Sequence, residues 1–249
     1  MKKTALLKRC VVLTLCALLT LALAACSGSA LNKGLSTKDA QECVQVELDT
    51  TYKGQFSGFV DFYNNVTTSD AKDQYEYNIE YEAAYFFYLV GMPDPEDTSV
   101  DLDPSDMQTY RCKQLYKDIY AKSDYTVVSS SKQGDGTFAV KVTIRPMNIL
   151  SLVSSNWDEG FAEFDEKFDK VDTDSMTDEE FVTWYRDVYV PEYYDTMLDL
   201  LEAQIPNIGY TAEKSIVVQV QQSEDGSLFI SSEDWWNLDD LIIDYSGNN

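Results

Sequence analysis

The stretch YTVVSSSKQGDGTFAVKVTIR, Tyr125–Arg145, decides the fold class. Two runs rich in β-branched residues flank Gly134-Asp135-Gly136, a turn whose glycines tolerate the left-handed backbone of a tight hairpin. In the second run Phe138, Val140, Val142 and Ile144 alternate with Ala139, Lys141, Thr143 and Arg145. This period of two, apolar against mostly polar, predicts a sheet buried on one face and wet on the other. Pro146 stops the strand, because it has no N–H to give a ladder.

A second hairpin follows at Ser215–Gln222 and Ser227–Ser232, around Glu224-Asp225-Gly226, with Ile216, Val218 and Val220 facing inward. The segments around the hairpins read as helices. Ser36 with Asp39 is an N-cap ahead of Ala40, Cys43, Val44 and Leu48, and Gly54 and Gly58 interrupt that segment. A second helix starts at Thr67-Thr68-Ser69-Asp70 and closes at Gly91, and Asp103-Pro104 opens a third that runs to about Ala121. Phe161, Phe164, Phe168 and Val171 form another stripe. Thr177-Asp178-Glu179-Glu180 is a capping box for a long helix toward Gln204 that Pro191 kinks or divides. The chain closes with Trp235-Trp236 and a short apolar helix around Leu238–Ile243.

Helices, hairpin, helices, hairpin is the order of an α+β domain: an antiparallel sheet of about four strands built from two hairpins, with helices packed on one face. Strands do not alternate singly with helices, which argues against a doubly wound sheet. The folded part is expected over 36–249, with helix–hairpin halves at 36–152 and 153–249 that resemble a duplication.

The first 26 residues carry an address. MKKTALLKR holds four cations and no acid, and Cys10–Ala24 holds no charge at all. That is a signal peptide over residues 1–25, with an apolar core too short for a comfortable transmembrane span. Leu23-Ala24-Ala25-Cys26 resembles the lipobox of bacterial lipoproteins. The resemblance implies cleavage between Ala25 and Cys26, acylation of Cys26 and insertion of the acyl chains into the lipid bilayer. Residues 26–35 are small and polar, suited to a flexible tether. The expected location is the cell membrane, lipid-anchored and facing the extracytoplasmic side.

Removal of residues 1–25 leaves Cys43 and Cys112 as the two cysteines not lipidated. Outside the cytoplasm they suit a disulfide; two buried free thiols acting as small apolar residues are the alternative.

Charge excludes several functions. The chain has 249 residues, 43 acids, 19 cations and no histidine, for a net charge of −24. Cleavage takes four cations and no acid, deepening this to −28. Such a surface repels phosphate backbones, so nucleic acid is not an expected partner. Without histidine there is no imidazole nucleophile pair, zinc site or general base. The expected protein or peptide partner is basic or neutral.

Over nearly the whole mature chain the sequence resembles a group of uncharacterised lipoproteins from Gram-positive, clostridial-type anaerobes. The likeness rests on Asp39-Ala40, Val44-Gln45, Leu48-Asp49 and Tyr52-Lys53-Gly54, on Ile119-Tyr120 and Tyr125, on Asp135–Pro146, and on Leu200-Leu201-Glu202. Its hairpin-and-helix plan is similar to cystatin-like and nuclear-transport-factor-like folds. The resemblance implies no catalytic residue and no cofactor.

Three sets of side chains are candidates for a site. The acids form two clusters, Asp94, Glu96, Asp97, Asp101, Asp103 and Asp106, and Asp169, Asp172, Asp174, Asp178, Glu179 and Glu180. Asp172-x-Asp174-x-Met176-x-Asp178 alternates like a Ca²⁺ loop, but Met176 falls where an oxygen is needed and no glycine makes the turn, so a solvated acidic loop is expected. Tyr77, Tyr81, Tyr85 and Tyr88 make an aromatic stripe, either a groove for sugar or peptide or the rim of a central helix. Trp235-Trp236 is a candidate contact patch, one ring packed and one partly exposed. The functional expectation is a non-catalytic ligand- or protein-binding lipoprotein. A carboxylate-dependent envelope hydrolase is the alternative, and a transporter solute-binding component a lower one.

Overall fold

The computed structural model describes residues 34–63, 66–91, 102–224 and 226–245. Cys26, Ala25, the tether up to Lys33 and the acids Asp94, Glu96, Asp97 and Asp101 lie outside them. The chain divides into two compact units, each assembled from separated segments.

The first unit takes residues up to Asp73, Asp124–Pro146 and Ala212–Ile242. Its sheet has four antiparallel strands in the order β1 (Asp124–Lys132), β2 (Phe138–Arg145), β3 (Lys214–Gln222) and β4 (Leu228–Ile230). The fold class is α+β, as the alternation predicts. The two hairpins join along β2 and β3, where Val140 pairs with Val218 and Val142 with Ile216. Phe138, Val140, Val142 and Ile144 are all buried on the inner face, with Val218, Val220, Leu228 and Ile230 beside them. Val128 is an extra residue in β1, set between Val127–Val142 and Ser129–Lys141 pairs.

Helix α1 (Thr37–Lys53) covers that inner face. Ser36 and Asp39 form the expected capping box, and Gly54, at φ 61°, supplies the left-handed C-cap. Tyr125 on β1 donates its hydroxyl to Asp49 of α1 at 2.8 Å. A short helix, α2 (Phe56–Phe62), and the start of α3 (Thr68–Val90) add a side core of Val46, Phe59 and Ala71.

The terminal tryptophans sit inside helix α9 (Ser232–Asp239), not ahead of one at Leu238–Ile243. The boundary moves because Ser231 caps Asp234, and the Asp234 carboxylate in turn accepts from the Gln219 backbone N–H at 2.7 Å. Trp235 stacks on Tyr52 of α1, centroids 6.2 Å apart and planes 10° from parallel. Tyr52 donates to Asp239 at 2.6 Å.

The second unit is helical and comprises Gln74–Ser123, Met147–Thr211 and the residues from Ile243. Helix α4 (Asp106–Tyr120) starts two residues after Pro104, because Ser105 and Gln108 form the capping box there. The Gln108 amide also reaches the Pro191 carbonyl at 2.8 Å and Asp195 at 3.0 Å. Lys117–Glu76 and Lys113–Glu80 tie α4 to α3, and Arg111 ties it to Asp199 and Glu202 of α8 (Val190–Gln204). Two helices lie between: α5 (Ile149–Ser155) and α6 (Trp157–Phe168). Gly160 allows α6 to approach α8, since a Cβ there would stand 2.8 Å from the Leu200 side chain.

Replacing a buried inner-face ring should be costly, and replacing an outer-face side chain should not. Phe138→Ala is expected to destabilise the first unit by about 3–5 kcal/mol. Val217→Ala, on the wet face, should change stability by no more than about 0.5 kcal/mol. Urea unfolding of both variants beside the parent chain measures the contrast.

Candidate binding surface

The largest aromatic assembly among the described residues lies in the second unit, where α6, α7 (Asp178–Trp184) and α8 meet. Its origin is local. Thr177 caps α7 by accepting from the Glu180 N–H, while the Glu180 carboxylate accepts from the Thr177 N–H at 2.9 Å. Those bonds to Thr177 hold the Glu180 carboxyl below its ordinary pKa. Pro191 then has no N–H for the Asp187 carbonyl, and the chain passes through a single wide π turn, Tyr185–Tyr189, before α8 begins. The proline therefore divides the predicted long helix without breaking its path.

Aromatic side chains spaced by four share one side of α7 and the wide turn and form a ladder. Phe181 stacks on Tyr185 at 5.8 Å, and Tyr185 on Tyr189 at 5.4 Å with planes 14° apart. Tyr189 meets Phe164 at 5.1 Å and Phe168 at 4.9 Å, so the rings of α6 back the ladder. Trp184 meets Phe168 and Tyr189 edge-on or tilted. Phe161 and Phe164 are buried, whereas Phe181, Trp184, Tyr185, Tyr189 and Tyr193 remain half-buried. Helix α7 buries no residue completely. The result is an aromatic shelf with one side packed and one side open.

The segment that carries the shelf is rich in carboxylates. Between Trp157 and Asp195 there are fourteen acids and three cations, a net charge of −11. Each cation already has a carboxylate: Lys167 with Glu192, Lys170 with Glu166 and Arg186 with Asp187. Burial, reinforced by Asp165 and Asp169, raises the Tyr189 phenol above its usual pKa. Burial among neighbouring tyrosines pushes Tyr193 up to about 12. These hydroxyls stay protonated at neutral pH, as donors beside ring faces and anions. Aromatic faces flanked by carboxylates suit ammonium and guanidinium groups, through cation–π attraction and charge-assisted hydrogen bonds.

Asp169 of the second acidic cluster stands near the Tyr189 ring. Asp172 precedes a 3₁₀ turn, Thr173–Ser175, and its carbonyl accepts from the Ser175 hydroxyl. Among the described residues no three carboxylates or thiols are placed to hold a metal ion. The tyrosine stripe of α3 divides by depth. Ile79, Ala83 and Phe86 enter the core, Tyr81 and Tyr85 lie half-buried, and Tyr77 and Tyr88 point outward. Trp235 and Trp236 are both half-buried, Trp235 against Tyr52.

The two cysteines are free thiols rather than a bridge. Each is committed to the interior of its own unit. Cys112 is buried in the second unit, where burial and the nearby Glu82 push its thiol up to about 12. Cys43 belongs to the first unit, and burial followed by the charge of Glu47 raises its thiol further.

Cys43 also marks a polar cluster that sequence reasoning missed. Its sulfur lies 3.5 Å from the Tyr63 hydroxyl, which donates to Glu47 at 2.7 Å and also stands 3.2 Å from the Leu228 carbonyl. A signal existed: Cys43 and Glu47 are four apart in the apolar stripe of α1. Burial pushes the Glu47 carboxyl up to about 7, and the hydrogen bond from Tyr63 offsets only part of that.

No family model matches the chain, and no curated protein matches it. Among solved structures it is similar to a candidate lipoprotein of Bacillus subtilis, ycdA, with 16% identity and a TM-score of 0.48. The similarity covers 82% of this chain, and this chain spans 56% of that protein's length. A likeness this distant assigns neither a family nor a function.

Glu47 gives the first unit a measurable pH dependence. Its folded pKa is above the unfolded value, so between about 4.5 and 7 the folded chain binds more protons. Stability from this group is therefore greatest below that window and is lost as pH rises through it, by on the order of 3 kcal/mol. Calorimetric melting from pH 5 to 8 should show a falling melting temperature in the parent chain. Glu47→Gln should flatten the profile and be the more stable form at pH 8; equal slopes would refute the assignment.

Proposed function

We propose that this protein is a membrane-anchored extracytoplasmic lipoprotein whose folded part binds a basic or neutral protein or peptide and performs no chemistry of its own. The observation that carries the anchoring is Leu23-Ala24-Ala25-Cys26, preceded by a cationic segment and an uncharged apolar core. No helix among the described residues is long and apolar enough to cross a membrane. Support for a binding role comes from the open aromatic shelf, whose surrounding cations are already matched by carboxylates. An incoming lysine or arginine would meet ring faces and uncompensated acids together.

A carboxylate-dependent hydrolase needs two acids facing one another, one held protonated. Glu47, the carboxyl pushed up to about 7, faces a phenol and a thiol instead. Binding is therefore the better supported reading.

Acylation is tested by expressing the full chain in a lipoprotein-processing bacterium fed an alkyne-tagged palmitate. The chain should take up label and partition into detergent, and Cys26→Ala should do neither. Label retained by the variant would overturn the anchor assignment.

Partner chemistry is tested with the full chain and a lysine- and arginine-rich peptide of about twenty residues. Affinity should fall as salt rises. Trp184→Ala and Tyr189→Ala should each weaken binding about 3- to 30-fold, in line with a cation–π contact. Equal affinity for an acidic peptide of the same length would sink the charge argument.

A further inference from the structure

One cation of the second unit already sits on the aromatic shelf. The Lys167 ammonium stands over the Phe168 ring, 5.1 Å from its centroid, and pairs with the Glu192 carboxylate at 2.7 Å. That ring belongs to the shelf: Phe168 meets Phe164 at 4.6 Å, Tyr189 at 4.9 Å and Trp184 at 6.0 Å. Glu192 lies in the first turn of α8. A ring face and a carboxylate thus converge on a single positive charge, the pair of contacts that a basic partner would seek here. The other two cations of the segment differ. Lys170 pairs with Glu166 and Arg186 with its neighbour Asp187, and among the described residues neither charge stands over a ring.

Lys167 is held loosely. Its side chain is 51% exposed and that of Glu192 45%. An ion pair this open contributes little, and an exposed cation–π contact adds only a small amount. Glu163, exposed and four residues earlier on α6, offers the ammonium a second carboxylate, since side chains four apart share one side of a helix. Lys167 can therefore leave the ring without losing a carboxylate, whereas an ammonium or guanidinium that took its place would gain both a ring and a carboxylate.

We infer that Phe168 and Glu192 form the cation subsite of the shelf, and that Lys167 fills it until a lysine or arginine side chain of the partner displaces it, a reading that rests on the binding role proposed for the shelf. The tethered lysine then acts as a built-in competitor. A partner with one cation meets a rival that is always present. A partner with several adjacent cations can fill the subsite and also pair with Asp165 and Asp169, whose charges act on Tyr189. Clustered positive charge is thereby favoured over a single one.

The test measures the affinity of the full chain, held in detergent, for the lysine- and arginine-rich peptide of about twenty residues. Lys167→Gln and Lys170→Gln each remove one positive charge from the same segment, so long-range attraction rises alike in both. Lys167→Gln should tighten binding by about a further 3- to 6-fold, the reciprocal of the fraction of open subsite that an exposed cation–π contact leaves. Lys167→Arg keeps the competitor and should bind like the parent chain. Equal gains from the two glutamine variants would show a charge effect alone, overturning the subsite and leaving the binding reading in place. A gain shared by Lys167→Arg, or weaker binding by Lys167→Gln, also overturns the subsite. If neither the parent nor any variant binds the peptide, the subsite and the binding reading fall together.

Discussion

The first unit depends on one requirement: the apolar side of β2 must be kept from water. Phe138, Val140, Val142 and Ile144 are buried in a row, and β3 extends the same surface with Val218 and Val220. At roughly 25 cal/mol for each Å² of apolar area removed from water, leaving that face open would cost more than a domain's usual net stability. Helix α1 is the cover. Its capping box and left-handed glycine fix both ends, and its apolar stripe lies on the sheet. Tyr125, Tyr52 and Trp235 then hold the cover in place through Asp49, Asp239 and ring stacking. Three of the hydrogen bonds that position α1, from Tyr125 to Asp49, Tyr52 to Asp239 and Tyr63 to Glu47, run from a tyrosine to a carboxylate, a use of acids that a net charge alone does not reveal.

Local signals made much of this legible. Ser36 with Asp39, Thr67 with Asp70 and Thr177 with Glu180 all form the caps that their spacing implies, because a capping box needs only neighbouring residues. The strands follow from alternation for the same reason. Short helices were harder. Helices α2 and α5 are seven residues each, have no side-chain cap bond, and are held by packing of Phe59 and of Ile149 and Leu150. The start of α4 moved from Pro104 to Ser105 and Asp106 because a side-chain cap satisfies N–H groups that a proline leaves open. The α9 boundary moved for a tertiary reason: Asp234 is drawn to β3, fifteen residues earlier in the chain.

The candidate shelf was half legible. Phe161, Phe164 and Phe168 were visible as a stripe, and the surrounding acids as a cluster. Joining them required tertiary packing, in which Tyr189 meets Phe164 and Phe168 of α6 while Pro191 divides the helix and the Gln108 amide holds its carbonyl. An ordinary α-helix would rotate successive rings by about 100° per residue. Rings four apart therefore share one side, which is why Phe181 stacks on Tyr185 and Tyr185 on Tyr189. The buried cluster of Cys43, Glu47 and Tyr63 depends on the fold more heavily, because Tyr63 arrives from beyond α2.

The contact between Asp234 and the Gln219 N–H also bears on how the protein behaves in a crowd. Strand β4 has only three residues, and its pairing with β3 ends at Val220 and Ile230. Past that point β3 would offer an unmatched donor and acceptor to any passing strand. Asp234 takes the donor, and the Ser231 N–H fills the Gln219 carbonyl at 3.0 Å. At the opposite border the extra residue Val128 disturbs the regular spacing of β1. Each border of the sheet thus carries a local feature that makes it a poorer template for a strand from a neighbouring molecule held at high density.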